Sequence, residues 1–149
     1  MVIPPVFKKL TSYIRRAEEL DRDTTRGECR LVAYYCRTFA MEQGIKMADQ
    51  SPAGKQFLLQ LMDQLENEKK AISGFTEEEG KMVVTSFAND VFSRADDEDR
   101  AGLADKGTAS SFFAAATFYD ILEQFPGGIP EETVQKRKYA RWKTAQILK

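Results

Sequence analysis

Apolar residues return every three or four positions through most of this chain, and the rhythm fails only at a few short, turn-rich places. Phe7, Leu10, Ile14 and Ala17 predict a helix from about Val6 to Leu20, and Val32, Tyr35, Cys36 and Phe39 a second from roughly Gly27 to Met47. Ser51-Pro52 reads as an N-cap with proline in the first helical position, opening a third helix to about Ile72 that Ser73-Gly74 closes. Thr76 with Glu79 forms a capping box before a fourth helix carrying Val83, Phe87, Val91 and Ala95. Residues Gly102 to Gly107 break the pattern, Thr108 is placed to cap a fifth helix to about Phe125, and PGGIP stops it. A sixth starts at Pro130, with Glu131 and Glu132 favourably set against its dipole. No segment predicts a strand.

The helices carry a repeat. RAEELDR, Arg16 to Arg22, returns as RADDEDR, Arg94 to Arg100, 78 positions later, and the same offset lays Ala33-Tyr34-Tyr35 on Ser111-Phe112-Phe113. The third helices of the two halves align poorly. Matching helix order and loop position nonetheless predict a duplicated unit. The expected fold is all-α, a tandem of two antiparallel three-helix bundles over residues 1–74 and 75–149.

Three antiparallel helices leave grooves in which an amphipathic helix from another protein can lie. Helix three has apolar residues to spare for this. With Phe57 at zero, Leu61, Leu65, Ile72 and Leu58 share an arc of about 100°, while Met62 falls near 140° and Leu59 near 200°. Glu66 and Asp63 flank these two at about 180° and 240°. Apolar positions edged by carboxylates suit a ligand helix with leucines and a basic residue; the plainer alternative packs Met62 on helix two and leaves Leu59 a stray surface leucine. Helix two also has a second stripe, Tyr34, Met41 and Ile45, opposite its first, part of which a middle helix needs for its second neighbour. In helix five, Phe113 falls among Thr117, Asp120 and Gln124, either a partner contact or a packing contact with the first unit.

Composition narrows the chemistry. With 42% hydrophobic and 30% charged residues over 149 positions, and 22 basic against 23 acidic side chains, the chain reads as a globular domain without the basic excess of most nucleic-acid binders. It shows no secretion signal and no run near the ~20 apolar residues that span a bilayer, which leaves the cytoplasm as the expected location. There is no histidine, the commonest general base and metal ligand, and no phosphate-binding or nucleophile-elbow motif. The acidic ADDEDRAGLADKG fails as a calcium loop, because its twelfth position is Thr108 where a bidentate Glu is required. Cys29 and Cys36, about 10 Å apart along one helix, are beyond disulfide reach and read as packed thiols. No catalytic residue, metal site or cofactor is expected. One competing function rests on KRKYARWK, Lys136 to Lys143, whose interleaved Tyr139 and Trp142 suit single-stranded nucleic acid or anionic lipid. Its alternative is a helix burying Val134, Tyr139, Trp142 and Ala145, with charges solvated or neutralised by acids such as Asp96 to Asp99.

LVAYYCRTFAMEQG, QFLLQLMDQLE, ADDEDRAG and RKYARWK together resemble the N-terminal region of the Vta family, whose animal and plant members are called LIP-five. They regulate the Vps-four AAA ATPase of the ESCRT pathway, and the resemblance runs from about Val6 to Leu148. It implies two MIT (microtubule-interacting and trafficking) modules that recognise C-terminal helices of ESCRT-III subunits in multivesicular body and vacuolar sorting. The first would take a type-one MIT-interacting motif, through a large apolar residue, an acid and a later Glu that map onto Met62, Asp63 and Glu66, with Leu59 beside them. The second would take the Vps-sixty (CHMP-five) type, with Phe113 the candidate suggested by the helix wheel. The resemblance further implies a protein peripheral on endosomal membranes. Family members continue through a linker to a C-terminal domain that dimerises and binds the ATPase. That domain does not occur by Lys149, so this region is expected to be monomeric and not to stimulate the ATPase directly.

Overall fold

The computed structural model describes residues 1–23 and 25–149 and is all-helical, with no strand among the described residues. The described residues form six α-helices: α1 (Thr11–Arg22), α2 (Glu28–Lys46), α3 (Pro52–Lys69), α4 (Glu77–Arg100), α5 (Lys106–Asp120) and α6 (Glu131–Leu148). The chain divides into two compact units, Met1–Thr76 and Glu77–Lys149, each built from three of these helices. None of the helices is long and apolar enough to cross a membrane, among the described residues.

In the first unit the predicted opening helix is two pieces. Pro4 is extended and Pro5 starts a 3-10 segment to Leu10, broken at Phe7 by φ −104° and ψ 23°, before α1 begins. This bend inserts Phe7 into the core, where it meets Leu10, Ile14, Ala40, Met41, Phe57 and Leu61. The Phe7 and Phe57 rings lie 5.4 Å apart and tilted, and Tyr13 packs edge-on to Phe39 at 5.0 Å. Gly44 brings α2 close to α3: a Cβ there would sit 2.8 Å from a Leu58 methyl. Ser51 caps α3 as expected, its hydroxyl accepting from the Gly54 N–H at 3.1 Å with Pro52 in the first turn. Fully burying Phe57 or Leu61 is worth roughly 1.5–3 kcal/mol each, so α3 is held by few side chains.

In the second unit α4 ends in a Schellman turn. The Leu103 N–H donates to the Glu98 carbonyl and Gly102 to that of Asp99, both at 3.0 Å, with Gly102 at φ +75° where a side chain would be strained. The cap of α5 differs from expectation. Asp105, not Thr108, is the N-cap, and Thr108 sits three residues into the motif, each side chain accepting from the other's backbone N–H. A carboxylate accepts a backbone N–H more strongly than a hydroxyl, and the Thr108 hydroxyl is spoken for by Glu98 at 2.6 Å. Gly107 therefore lies inside the helix. The core joins Phe92 and Tyr139 to Phe112, Ala95, Ala116 and Ala140, with Phe87 edge-on to Phe118.

The repeated phrase has a physical meaning in both units. Ala17 and Ala95, its second residues, are completely buried. Within the phrase Arg16 bonds Glu19 and Arg100 bonds Asp96, both at 2.9 Å, while its sixth residues, Asp21 and Asp99, pair outside it with Arg37 and Lys143.

Candidate partner-binding site

Helix α3 shows its core stripe to the first unit and a second apolar strip to solvent. Phe57 and Leu61 are buried, Leu58 and Leu65 pack half-covered against the same core, while Met62 is 45% and Leu59 61% exposed. The direction of that strip is fixed by two contacts. Leu58 meets Gly44 of α2, so the Leu58 side of α3 faces α2, and Met62 follows one turn on. From α2, Met41 enters the core with Phe57 and Leu61, and Tyr34 and Ile45 lie within about 40° of it on the wheel. Tyr34 is half-buried and Ile45 is 57% exposed. Ile45 of α2 and Met62 and Leu59 of α3 are thus exposed apolar residues, with Met62 one turn from the Leu58 that meets α2. Asp63 and Glu66 are exposed beside them and form no ion pair among the described residues.

Met41, on the second stripe of α2, is core, because a middle helix is sandwiched and needs apolar residues on two sides. One wheel reading needs correction. Phe113 is 43% exposed, but its wheel neighbours are not a free polar face. Thr117 is buried and donates its hydroxyl to the Phe113 carbonyl at 3.0 Å, since α5 is covered almost all round from Ala114 to Tyr119.

The basic helix is also different in detail. Arg137 and Arg141 both bond Asp120, Arg137 reaches Glu123 at 2.7 Å, and Lys143 reaches Asp99 at 2.6 Å. The pair with Asp99 follows the sequence expectation, whereas the Asp120 clamp has no signal short of the tertiary fold. Tyr139 packs on Phe92 and Phe112, yet Trp142 is 54% exposed and Ala145 exposed, so the expected buried stripe is only half formed. Most of the positive charge is already paired within the unit.

A buried ion triad at the far end of the first unit has no counterpart in the sequence reading. Arg37, 2% exposed, bonds both Asp21 at the end of α1 and Glu68 near the end of α3, the latter at 2.8 Å. Burial works against its charge, but the two carboxylates outweigh it and hold the guanidinium pKa above its ordinary range. Burial raises the Glu68 pKa more than Arg37 lowers it, because its second oxygen, Oε1, is sealed without a donor. Beside the triad lies a recess of about 570 Å³ walled by Leu20, Leu31, Ile72 and Phe75. Cys36 is wholly enclosed, its thiol pushed up to about 12 by burial. Among the described residues no three carboxylates or thiols come together as a metal site requires.

The geometry defines an all-α protein of two three-helix units, with an exposed apolar strip on α3 that Asp63 and Glu66 flank. Residues 9–149 match the model of the family described as "Vta1 like". The chain is 43% identical over 144 residues to the Arabidopsis thaliana homolog of mammalian LYST-interacting protein 5, covering 95% of this chain and 32% of that protein. It is 39% identical over 149 residues to the Bos taurus VTA1 homolog of vacuolar protein sorting, and 38% to that of Homo sapiens, each covering 97% of this chain and 47% of the relative. The chain belongs to the Vta1-like family, and spans between a third and a half of the length of these relatives. Its fold also matches a chain in the NMR structure of the Vta1–Vps60 complex, with a TM-score of 0.79 at 14% identity over 95% of this chain and 96% of that one.

Proposed function

We propose that this chain is a non-enzymatic adaptor region that binds C-terminal helices of ESCRT-III subunits and belongs to a regulator of the Vps-four ATPase in multivesicular body sorting. In this reading the two units are MIT modules. The observation that carries it is the exposure of Met62 and Leu59 beside Asp63 and Glu66, which form no ion pair among the described residues, with Met62 one turn from the Leu58 that meets α2. A ligand helix laid there would cover its leucines with Met62 and Ile45 and set a basic residue against the two carboxylates. Family membership and a fold shared with a Vta1 complexed to Vps60 support the same reading. The second unit is proposed to take the Vps-sixty (CHMP-five) type of subunit, with Phe113 among its contacts. The region acts as a monomer without cofactor and reaches endosomal membranes through its partners.

The test is a calorimetric titration of a leucine-rich ESCRT-III C-terminal peptide into the chain and two variants. Met62→Ala and Asp63→Lys should each weaken binding by ~1–3 kcal/mol without lowering the melting temperature. Unchanged affinity in both variants would remove this strip as the site.

A further inference from the structure

At one end of the first unit, where α1 and α3 finish and α2 begins, lies the recess of about 570 Å³ beside the ion triad. Its size falls within the roughly 300–1,000 Å³ of ligand clefts. Leu20 and Leu31 are buried walls, Ala71 and Ile72 come from the residues after α3, and Phe75 beside them is 48% exposed. The polar lining divides into committed and uncommitted groups. Both oxygens of Asp21 accept from Arg37, and Glu68 has one oxygen on Arg37 and the other sealed. Asp23 accepts the Thr25 N–H at 3.0 Å and its hydroxyl at 2.6 Å, and Arg26 is held by Glu28 at 2.7 Å. The side chains of Arg30 and Asn67 are exposed and form no hydrogen bond or ion pair among the described residues.

We infer that this recess is an anchor pocket for one large apolar side chain of a partner peptide, whose flanking backbone carbonyls accept from Arg30 and Asn67. The uncommitted groups decide the ligand's chemistry. A guanidinium offers N–H donors and no acceptor, and the Asn67 amide adds two more donors. Arg30 stands on α2 and Asn67 on α3, so the donors reach the apolar walls from two helices. A peptide residue carries a carbonyl on each side of its side chain, which is the acceptor pattern two such donors ask for. Charge disfavours the alternatives. The carboxylates of Asp21, Asp23, Glu28 and Glu68 outnumber the guanidiniums of Arg26, Arg30 and Arg37 in and around the recess, so an acidic group is repelled. A basic head is opposed by Arg26 and Arg30 in the lining itself, and a neutral acceptor by neither sign. The recess also adjoins Glu68, a carboxyl that burial holds above its ordinary range, and such groups in concave places mark binding pockets. Apolar anchors seated in pockets supply most of the energy of peptide interfaces. This pocket shares no residue with the apolar strip on α3, so each can be occupied without the other.

The probe is N-acetyl-phenylalanine amide, a neutral apolar side chain between two carbonyls, titrated into the ¹⁵N-labelled full chain and its Arg30→Gln and Ala71→Trp variants. Saturable shifts should gather on the amides of Gly27, Arg30, Leu31, Asn67 and Ala71. Arg30→Gln should weaken binding about tenfold through the lost charged donor. Ala71→Trp, which fills the recess from an exposed position, should abolish it. N-acetyl-phenylalanine with a free carboxylate should bind more weakly than the amide, and a saturating leucine-rich ESCRT-III C-terminal peptide should leave the probe in place. Each variant's own spectrum shows whether it is folded, and the exposed Arg30 decides the matter if the tryptophan disrupts the unit. Displacement by that peptide, shifts on Leu59 and Met62 instead, tighter binding of the carboxylate, or affinity unchanged in the folded variants would overturn the inference. So would a folded chain that shows no saturable binding.

Discussion

Arg37 of α2 donates from Nη1 to Glu68 of α3 at 2.8 Å, in a place where the arginine side chain keeps only 3% of its exposure. With Asp21 as its other partner, this one side chain ties the middle of α2 to the C-terminal ends of α1 and α3. Replacing it strands a buried carboxylate. Arg37→Met should destabilise the first unit by about 3 kcal/mol, less than the worst such losses because Asp21 can turn to water. Chemical denaturation of the variant would check this, and a loss within experimental error would show that the triad is ornamental.

Glu68 gives the same triad a pH signature. Its pKa in the fold lies above 4.5, through burial that the Arg37 charge only partly offsets. A raised value means that the stability contributed by this carboxyl is fully present below 4.5 and fades as pH rises through the folded value. Exposed carboxylates such as Asp105, held low by the Thr108 N–H, and Asp23, held low by Thr25, work in the opposite direction. The comparison that isolates Glu68 is therefore wild type against Glu68→Gln. The stability difference should shift in favour of the glutamine variant as pH rises from mildly acidic to neutral, read from melts across that window; a flat difference contradicts the assignment.

Asp120 anchors two arginines of α6. Asp120→Asn should leave Arg141 without a counter-charge and Arg137 with that of Glu123 alone, costing about 1 kcal/mol and raising retention on anionic vesicles at low salt. The native chain should show little retention, because Lys143 is likewise paired with Asp99. Strong, salt-sensitive binding by the native chain would revive a membrane or nucleic-acid role for this helix.

Phe113→Ala should change the stability of the second unit by no more than about 0.5–1 kcal/mol, since the ring is 43% exposed, while weakening a Vps-sixty-type ligand. Loss of stability with unchanged ligand affinity would make Phe113 a packing residue.

Much of the architecture was written in local patterns. The Ser51-Pro52 start, the PGGIP stop and the alternation around Phe57 and Leu61 act within one helix, where spacing alone tells the outcome. Met62 and Leu59 were visible for the same reason: a core stripe about 100° wide has no room for them. What escaped were competitions and crossings. Asp105 and Thr108 could each have capped α5, and only the position of Glu98 beneath Thr108 shows why aspartate takes the cap. The kink at Phe7 depends on a core not yet assembled when the sequence is read. Arg37 lies on the wheel between polar and apolar positions, and its two carboxylates come from residues 16 and 31 positions away. Phe113 was judged against a solvated face that the fold instead covers around Thr117.

The central claim is a trough between α2 and α3 that receives another protein's helix. Its most direct test is an NMR titration of the labelled chain with separate ESCRT-III C-terminal peptides. Shifts should gather on Ile45, Leu59, Met62, Asp63 and Glu66 with a leucine-rich, basic helix, and shrink in Met62→Ala. Shifts confined to Lys136–Lys143, or none with any peptide, would contradict the account.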